Sequence, residues 1–167
     1  AILRASRRVR IDDGTLCFDD GCQGRQCRRL ASEVGDFVGR RADGQYAYQL
    51  ACAVDEAAQG ITNVVRGADL LGSTFRQRWL MGALGLAPPR YFHLPVLADA
   101  RGRKLSKQNH APAVAPGSAG ATLRRCLRLL HQRDVDADAP AEILRAATRQ
   151  WDAARVSRTA QIGDSPL

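Results

Sequence analysis

The stretch Lys-Leu-Ser-Lys-Gln at residues 104–108, here called the lysine loop, decides the fold of this sequence. An apolar run of strand type, residues 93–97, precedes it, and Gly102 lies between the two. A strand, a glycine-containing turn and two lysines around a serine predict a loop that holds a polyphosphate, because each lysine is a mobile point charge that can close over an anion. The general alternative for Lys-x-x-Lys is a solvated basic loop, and the residues upstream of the loop argue against it.

Upstream of the lysine loop lies a series of motifs in a defined order. They read Tyr-Ala-Tyr-Gln-Leu-Ala (46–51), Val-Asp (54–55), Gly-Ile-Thr (60–62), Val-Val-Arg-Gly-Ala-Asp-Leu-Leu (64–71), Ser-Thr (73–74) and Arg-Gln (76–77). In this order and spacing they resemble the second half of the catalytic domain of class I glutamyl-type aminoacyl-tRNA synthetases, and the lysine loop resembles the KMSKS signature of that class. The continuation Gln-Asn-His-Ala (108–111) resembles the short branch of this family, the glutamyl-Q tRNA(Asp) synthetases. The resemblance runs from roughly residue 10 to residue 155 and is most specific over 36–112.

The resemblance implies an α/β fold, namely the second half of a class I Rossmann-type nucleotide-binding domain followed by a small C-terminal helical module. The implied division is the end of an inserted segment (1–35), the C-terminal half of the catalytic domain with the lysine loop (36–112) and the helical module (113–167). Class I enzymes also carry a His-x-Gly-His signature, and the three histidines here, His93, His110 and His131, stand in no such motif. We therefore interpret the chain as the C-terminal part of a longer protein and expect this piece alone to be inactive. His93 and His110, which flank the lysine loop, are interpreted as structural.

Local patterns add expectations for the secondary structure. Strands are predicted at 8–11, 36–41, 46–54, 61–65 and 93–97, with turns at 12–14, 19–21 and 42–44. A helix capped by Ser73 or Thr74 is expected to run to Leu84 and to end at Gly85. A linker at 113–120, a basic amphipathic helix at 121–132 and a last helix from Pro140 to near Trp151 follow. The polar tail after residue 157 is expected to be loose.

Selection of glutamate requires a cation for its side-chain carboxylate. Arg66 offers a planar, permanently charged fork for this purpose, and the resemblance makes it a substrate-binding residue; the alternative is an arginine in a structural ion pair. Tyr48 corresponds to a tyrosine of the family's substrate pocket, the alternative being an ordinary core tyrosine. Tyr46 is expected on the same strand face as Tyr48, and Asp69 is expected to organise Arg66 or the pocket.

Activation of glutamate by ATP depends on positioning and on neutralising charge that builds on the phosphates. Lys107 is predicted to be the catalytic, ATP-binding residue, with Lys104 assisting it. The complete motif is Lys104, Leu105, Ser106, Lys107 and Gln108. Leu105 is expected to anchor the loop and Ser106 to hydrogen-bond locally. The resemblance implies ATP as a substrate, accompanied by Mg²⁺.

Composition restricts the partners and the compartment. The net charge is +8, with 25 Lys and Arg against 17 Asp and Glu, which favours a polyanionic partner, although an arginine-rich composition equally reflects a GC-rich genome. No apolar stretch is long enough to span a membrane. An odd number of cysteines without a secretory signal predicts free thiols in a reducing cytoplasm. The spacing of Cys17, Cys22 and Cys27 is wider than structural zinc sites prefer, and the resemblance places the family's zinc ligands outside this chain.

The function implied by the resemblance is ATP-dependent activation of L-glutamate and its transfer to the queuosine base of tRNA(Asp), by a monomer in the cytoplasm. The segment after Gln108 is too short for a separate anticodon-binding domain, which favours the short branch of the family. Two alternatives stay open: a fragment of a glutamate–tRNA ligase, and a non-catalytic RNA-binding remnant.

Overall fold

The computed structural model describes residues 5–109, 111, 113–115 and 117–163, so His110 lies outside the described residues. The chain divides into two compact units, one up to His93 and one from Leu94 onward, and each is described by itself. Helices and strands are mixed in both units, which confirms the predicted α/β class. Within the described residues, no helix combines the length and the apolar character needed to cross a membrane. The predicted functional boundaries after residues 35 and 112 stay predictions.

The first unit begins with two antiparallel strand pairs. Strand β1 (Arg7–Val9) pairs with β4 (Phe37–Arg40), and β2 (Thr15–Asp20) forms a hairpin with β3 (Gly24–Arg29). A π-helical turn, Leu30–Val34, connects β3 to β4. The turn predicted at residues 19–21 is displaced, because Asp19 and Asp20 end strand β2 and the turn follows them.

The prediction that all cysteines are free thiols is wrong for the β2–β3 hairpin. Cys17 lies directly opposite Cys27, with 4.2 Å between the Cα atoms, and the two form a disulfide. The physical reason is the antiparallel register, which brings residues ten apart in sequence face to face. Cys22 lies in the turn and is buried outside the disulfide, whereas Cys52 and Cys126 are free thiols.

The strand predicted at 46–54 is helix α1 (Tyr48–Ala58), and only Tyr46 keeps a bridge, to Arg40. The alternation of Tyr46, Tyr48 and Leu50 imitates a strand, but the residues from position 48 onward are rich in alanine, which has the highest helix propensity. Ala53 is fully buried, and α1 packs against the next helix of the chain. Helical packing therefore overrides the short alternating pattern.

A strand–helix–strand unit completes this part of the chain. Strands β5 (Asn63–Gly67) and β6 (Arg90–Leu94) are hydrogen-bonded neighbours, and helix α2 (Leu71–Ala83) connects them. The predicted cap is wrong, because Leu70 is the N-cap residue and Thr74 lies one turn inside the helix. The predicted end is confirmed: Gly85 has φ 68°, and the amide of Leu86 donates to the Met81 carbonyl, 2.8 Å. The shared core includes Phe18, Phe37, Phe75, Leu80, Met81 and Tyr91.

The second unit contains a small parallel strand pair and two helices. The strand predicted at 93–97 is interrupted at Pro95, which has no N–H to donate, so that β7 (Val96–Ala98) is a separate strand. Helices α3 (Ala119–Leu129) and α4 (Pro140–Arg149) pack through Leu127 and Ile143. The tail predicted to be loose contains β8 (Gln161–Gly163), which pairs with β7 because the amide and carbonyl groups of β7 need a partner.

Candidate functional site

Arg66, on strand β5, is held by three hydrogen bonds to side chains. Its Nε donates to Nε2 of His93 at 3.1 Å, and its Nη2 donates to Oγ1 of Thr74 and to Oε1 of Gln77, both at 2.7 Å. The guanidinium carbon lies 5.3 Å from the ring centroid of Tyr91. An arginine has five N–H donors, and Nη1 has no hydrogen-bond partner within the described part of the chain. One nitrogen of Arg66 therefore remains available to an anion.

His93 and Asp20 form a buried pair behind Arg66. Nδ1 of His93 lies 2.5 Å from Oδ2 of Asp20, and the two residues are 0% and 4% exposed. Asp20 is the last residue of β2, and the adjacent Gly21 amide donates to the Tyr91 carbonyl at 2.9 Å. A Cβ on Gly21 would lie 2.5 Å from the ring of Phe92. The close approach of β2 to β6 at Gly21 thus brings the Asp20 carboxylate against His93.

The charges of this pair follow from burial and hydrogen bonding. Burial raises the pKa of Asp20, but hydrogen bonds from the Gln23 amide, from the ring and amide of His93 and from the Cys22 amide outweigh it, so the net pKa is lowered. Burial lowers the pKa of His93, the nearby Arg66 charge lowers it further, and Asp20 only partly opposes them. Asp20 is therefore a carboxylate and His93 a neutral imidazole.

One tautomer of His93 satisfies all of these contacts. An ionised Asp20 can only accept, so Nδ1 must carry the proton, and Nε2 must be bare because Arg66 can only donate. Thr74 Oγ1 lies 3.0 Å from Nε2 and 3.2 Å from the Leu70 carbonyl, which can take its hydroxyl proton. Among the residues that the structure describes, each direct hydrogen-bond partner of Arg66 is thus a neutral acceptor.

Helix α1 carries side chains that interact electrostatically with Arg66. Tyr48, Cys52 and Glu56 follow each other at intervals of four residues, which places them on one helix face. Burial and a hydrogen bond to Cys52 raise the pKa of Tyr48, whereas the charge of Arg66 lowers it. Burial likewise raises the pKa of Glu56 against the opposing charge of Arg66, and its buried Oε2 has no partner among the described residues. The field of Arg66 therefore reaches the predicted tyrosine.

The outcome for the sequence-predicted pocket residues is mixed. Tyr46 does not share a strand face with Tyr48, because Tyr46 lies before α1 with its ring centroid 5.6 Å from the Arg40 guanidinium carbon. Within the described residues, the hydrogen bonds of Arg66 go to neutral acceptors, and the charge of Asp69 acts on His93. The role of Asp69 in organising the pocket stays a prediction. The helical spacing of Thr74 and Gln77 was a usable signal for a shared face. No comparable sequence pattern indicates Asp20, because it belongs to a hairpin that is far from Arg66 and His93 in the chain.

The lysine loop lies in the second unit and is built on a tight turn. The Asp99 amide donates to the Arg103 carbonyl at 2.9 Å, the Asp99 carboxylate pairs with the Arg103 guanidinium at 2.9 Å, and Gly102 has φ 73°. Lys104 bridges back to Ala98, and the Leu105 amide donates to the Leu97 carbonyl at 2.8 Å. Leu105 is half-buried and anchors the loop by this bond.

After Leu105 the loop turns into a short 3₁₀ turn, Lys107–Asn109. Ser106 is half-buried, and its carbonyl accepts from the Ala111 amide at 3.1 Å. Lys104, Lys107 and Gln108 are exposed. Both lysines of the chain lie in this loop, whereas every other basic residue is an arginine. Lysine ammonium groups therefore occur only in this loop.

Among the described residues, no cluster of three or more His, Cys, Asp or Glu side chains has the arrangement of a metal site. No described residue is therefore assigned to Mg²⁺ or to zinc.

Known proteins resemble this chain over most of its length. Residues 3–122 match the family model of the tRNA synthetases class I (E and Q), catalytic domain. The chain is 49% identical over 144 residues to the glutamyl-Q tRNA(Asp) synthetase of Acinetobacter baylyi, covering 86% of this chain and 49% of that protein. It is 44% identical over 166 residues to the protein of that name from Ectopseudomonas mendocina, covering 98% and 56%. The chain spans about half the length of the curated relatives it matches.

Solved structures agree on the fold. The glutamate-tRNA synthetase of Elizabethkingia anophelis superposes with a TM-score of 0.70 at 19% identity, over 92% of this chain and 35% of that one. A glutamate tRNA ligase from Elizabethkingia meningosepticum, solved in complex with its amino acid, gives 0.69 at 20% identity, over 92% and 34%. Because the sequence identities are low, these superpositions are evidence for the fold alone, and they confirm the class I α/β fold. The curated relatives bear the name of the branch that the Gln-Asn-His-Ala continuation predicts. The chain therefore belongs to the class I tRNA synthetases of the glutamyl and glutaminyl type.

Proposed function

We propose that this chain supplies the glutamate-selecting and ATP-contacting residues of an enzyme that activates L-glutamate with ATP and transfers it to the queuosine base of tRNA(Asp). The relatives named glutamyl-Q tRNA(Asp) synthetase support this reading. Residues 36–112 form its catalytic half and 113–167 its helical module. The use of Mg²⁺, the monomeric state and the cytoplasmic location belong to the same proposal.

The observation that carries the proposal is the state of Arg66. Its inner partners are all neutral, so its positive charge is not compensated by a direct ion pair within the described part of the chain. A structural arginine at this depth would be expected to pair with a carboxylate. An uncompensated guanidinium with Nη1 still available is instead suited to the side-chain carboxylate of glutamate. Because Nε and Nη2 are engaged, that carboxylate binds through Nη1, and Tyr48 lines the same pocket.

The lysine loop supports the ATP half of the proposal. Lys107 is exposed on a loop that is anchored at Leu105, so its ammonium group can move towards phosphate while the loop base stays in place. Lys107 neutralises charge on the phosphates during glutamyl-adenylate formation, and Lys104 assists it. The confinement of both lysines to this loop fits a requirement for a compact, mobile point charge that arginine does not meet.

The test uses the full-length gene product and glutamate-dependent pyrophosphate exchange. Arg66→Ala is expected to raise the KM for glutamate, with a loss of roughly 2–5 kcal/mol in kcat/KM, and to leave the KM for ATP nearly unchanged. Lys107→Ala is expected to lower kcat by roughly 2.7–4 kcal/mol in barrier with little change in glutamate binding. Arg90→Ala, at an exposed position on β6, is the matched control and should retain wild-type kinetics.

The alternatives predict different results. A glutamate–tRNA ligase would pass the exchange assay but would charge the 3′ end of tRNA(Glu) instead of queuosine in tRNA(Asp). A non-catalytic RNA-binding remnant would bind tRNA and show no exchange at all. Equal defects for both substrates in Arg66→Ala would make Arg66 structural, and wild-type exchange in Lys107→Ala would remove the ATP role.

A further inference from the structure

We infer that Asp20 and His93 are positioning residues, which together orient Arg66 and preserve its charge for the carboxylate of the substrate. This inference rests on the proposed function for the identity of that carboxylate. The orientation itself rests on a chain of hydrogen bonds from the β2–β3 turn to the tip of Arg66.

The first step is the anchoring of Asp20. Its Oδ1 accepts three backbone N–H groups, from Cys22 at 3.0 Å, Gln23 at 2.8 Å and His93 at 3.1 Å. These donors belong to the backbone and cannot rotate away. Oδ1 is therefore fixed as an acceptor, and Oδ2 is the oxygen that faces Nδ1 of His93.

The second step is the transfer of this orientation to Arg66. The proton on Nδ1 leaves Nε2 bare, and Nε2 accepts from Nε of Arg66. Thr74 and Gln77 take both protons of Nη2. Because three contacts on two nitrogens of a planar group define its plane, Nη1 is presented in one direction before any substrate binds.

The third step is the charge. A carboxylate in direct contact with Arg66 would hold it equally well but would compete with the anionic substrate. Here Asp20 stands one residue behind, and the neutral imidazole of His93 separates it from the guanidinium. The arrangement thus orients Arg66 as firmly as an ion pair would, but no carboxylate in direct contact offsets the positive charge of the guanidinium. A contact that served only to stabilise the fold would not need to leave this charge available to a substrate.

The Asp20→Asn substitution tests the orientation. The three backbone donors require the carbonyl oxygen of the new side chain at the Oδ1 position, so its NH2 group must face Nδ1 of His93. Nδ1 then becomes an acceptor, the ring proton moves to Nε2, and that N–H opposes the N–H of Arg66. The shape of the site is kept while the acceptor for Arg66 is lost. Asp19→Asn, at an exposed position beside it, is the matched control with the same change of charge.

Two measurements on the full-length gene product are expected to change together. Nitrogen NMR of the histidine ring should find the Nδ1–H tautomer of His93 in the wild type and in Asp19→Asn, and the Nε2–H tautomer in Asp20→Asn. The KM for glutamate should rise roughly ten- to a hundredfold in Asp20→Asn, the range expected for losing a hydrogen bond to a charged group. The KM for ATP should stay unchanged. In an Arg66→Ala background the same substitution should add no further defect, since its effect passes through Arg66.

A second variant keeps the test decisive if Asp20→Asn does not fold. Gln77→Glu is isosteric and puts a carboxylate directly on Nη2 of Arg66, so it can hold the arginine but neutralises it. Positioning predicts a raised KM for glutamate with an unchanged unfolding midpoint. An unchanged KM in Gln77→Glu, or in a folded Asp20→Asn, would overturn the inference while leaving the proposed function intact. Absence of glutamate-dependent exchange in the wild type would instead overturn the proposed function, and the NMR comparison would still decide the orientation of His93.

Discussion

At the residue scale, the informative property of Arg66 is the chemistry of its neighbours. An arginine beside a carboxylate forms a common stabilising pair in which the two charges offset each other. The positive charge of Arg66 is not offset in this way, because its hydrogen-bond partners are a neutral imidazole, a hydroxyl and an amide oxygen. Burial of His93 behind it is tolerated because Asp20 satisfies the ring proton. A buried histidine of this kind also makes stability depend on pH.

Stability is expected to fall as the pH drops below neutrality, because His93 must stay neutral in the folded chain. Its pKa is lowered from 6.5 by burial and by Arg66, against the opposing charges of Asp20 and Asp69, and its ring stacks on Tyr91. The unfolded chain therefore binds a proton at a higher pH than the folded chain does. The stability from neutral His93 is fully present above pH 6.5 and is lost as the pH falls through the folded pKa.

The measurement is the free energy of unfolding in urea between pH 7.5 and pH 5. The wild type should lose stability across this window, and His93→Gln, which has no titrating ring, should lose less. The lowered pKa of Asp20 adds a separate loss below its usual 3.8, outside this window. Identical pH profiles for the two proteins would show that His93 does not titrate as described.

At the element scale, the β2–β3 hairpin delivers Asp20 to the site. Its six paired positions hold the strand ends in register, and the disulfide between Cys17 and Cys27 crosses it near the middle. A short two-stranded ribbon is only marginally stable by itself. The hairpin packs into the core through Phe18, and the disulfide adds a covalent link between its two strands.

Reduction of the disulfide is expected to destabilise the first unit without unfolding it. Cys17→Ser should lower the free energy of unfolding by about 2–3 kcal/mol under oxidising conditions, since the cross-link restricts the unfolded chain. The same substitution should have almost no effect under full reduction. Cys126→Ser, at an exposed free thiol, is the control. Mass spectrometry that finds both Cys17 and Cys27 alkylated without reductant would contradict the pairing.

At the scale of the whole molecule, the chain consists of two units, each with its own apolar cluster. Arg66 belongs to the first unit and the lysine loop to the second. The net charge is +8, and all positively charged Lys and Arg side chains except Lys104 and Lys107 are arginines. The amino-acid sequence contains no His-x-Gly-His motif, which the family resemblance leads us to expect in a catalytically complete enzyme.

This 167-residue chain expressed alone is therefore expected to give no glutamate-dependent pyrophosphate exchange, with or without tRNA. It should still bind RNA weakly, with an affinity that falls steeply between 50 and 200 mM salt, as expected for phosphate neutralisation. Exchange and filter binding on the purified chain check both statements. Turnover comparable to that of the full-length gene product would show that these 167 residues suffice for catalysis.

The sequence by itself determined the family, and it predicted the places where the chemistry should lie. The lysine loop, Arg66 and Tyr48 are assigned to the site from motif order, because these residues stand at fixed distances from neighbouring motifs in the chain, and their roles stay predictions. Local signals also located the end of α2 at Gly85 and the start of α4 at Pro140, since both depend on backbone preferences of single residues.

Only the tertiary structure decided which side chains surround Arg66 and which of them are charged or neutral. Residues 48–58 form a helix despite an alternating start, because packing against α2 outweighs a short pattern. Cys17 and Cys27 meet because strand register, which sequence spacing does not reveal, places them face to face. Asp20 reaches His93 across 73 positions of chain, where only the close approach of β2 to β6 joins them. Hydrogen bonds between residues so far apart depend on how the elements pack, and no local pattern encodes them.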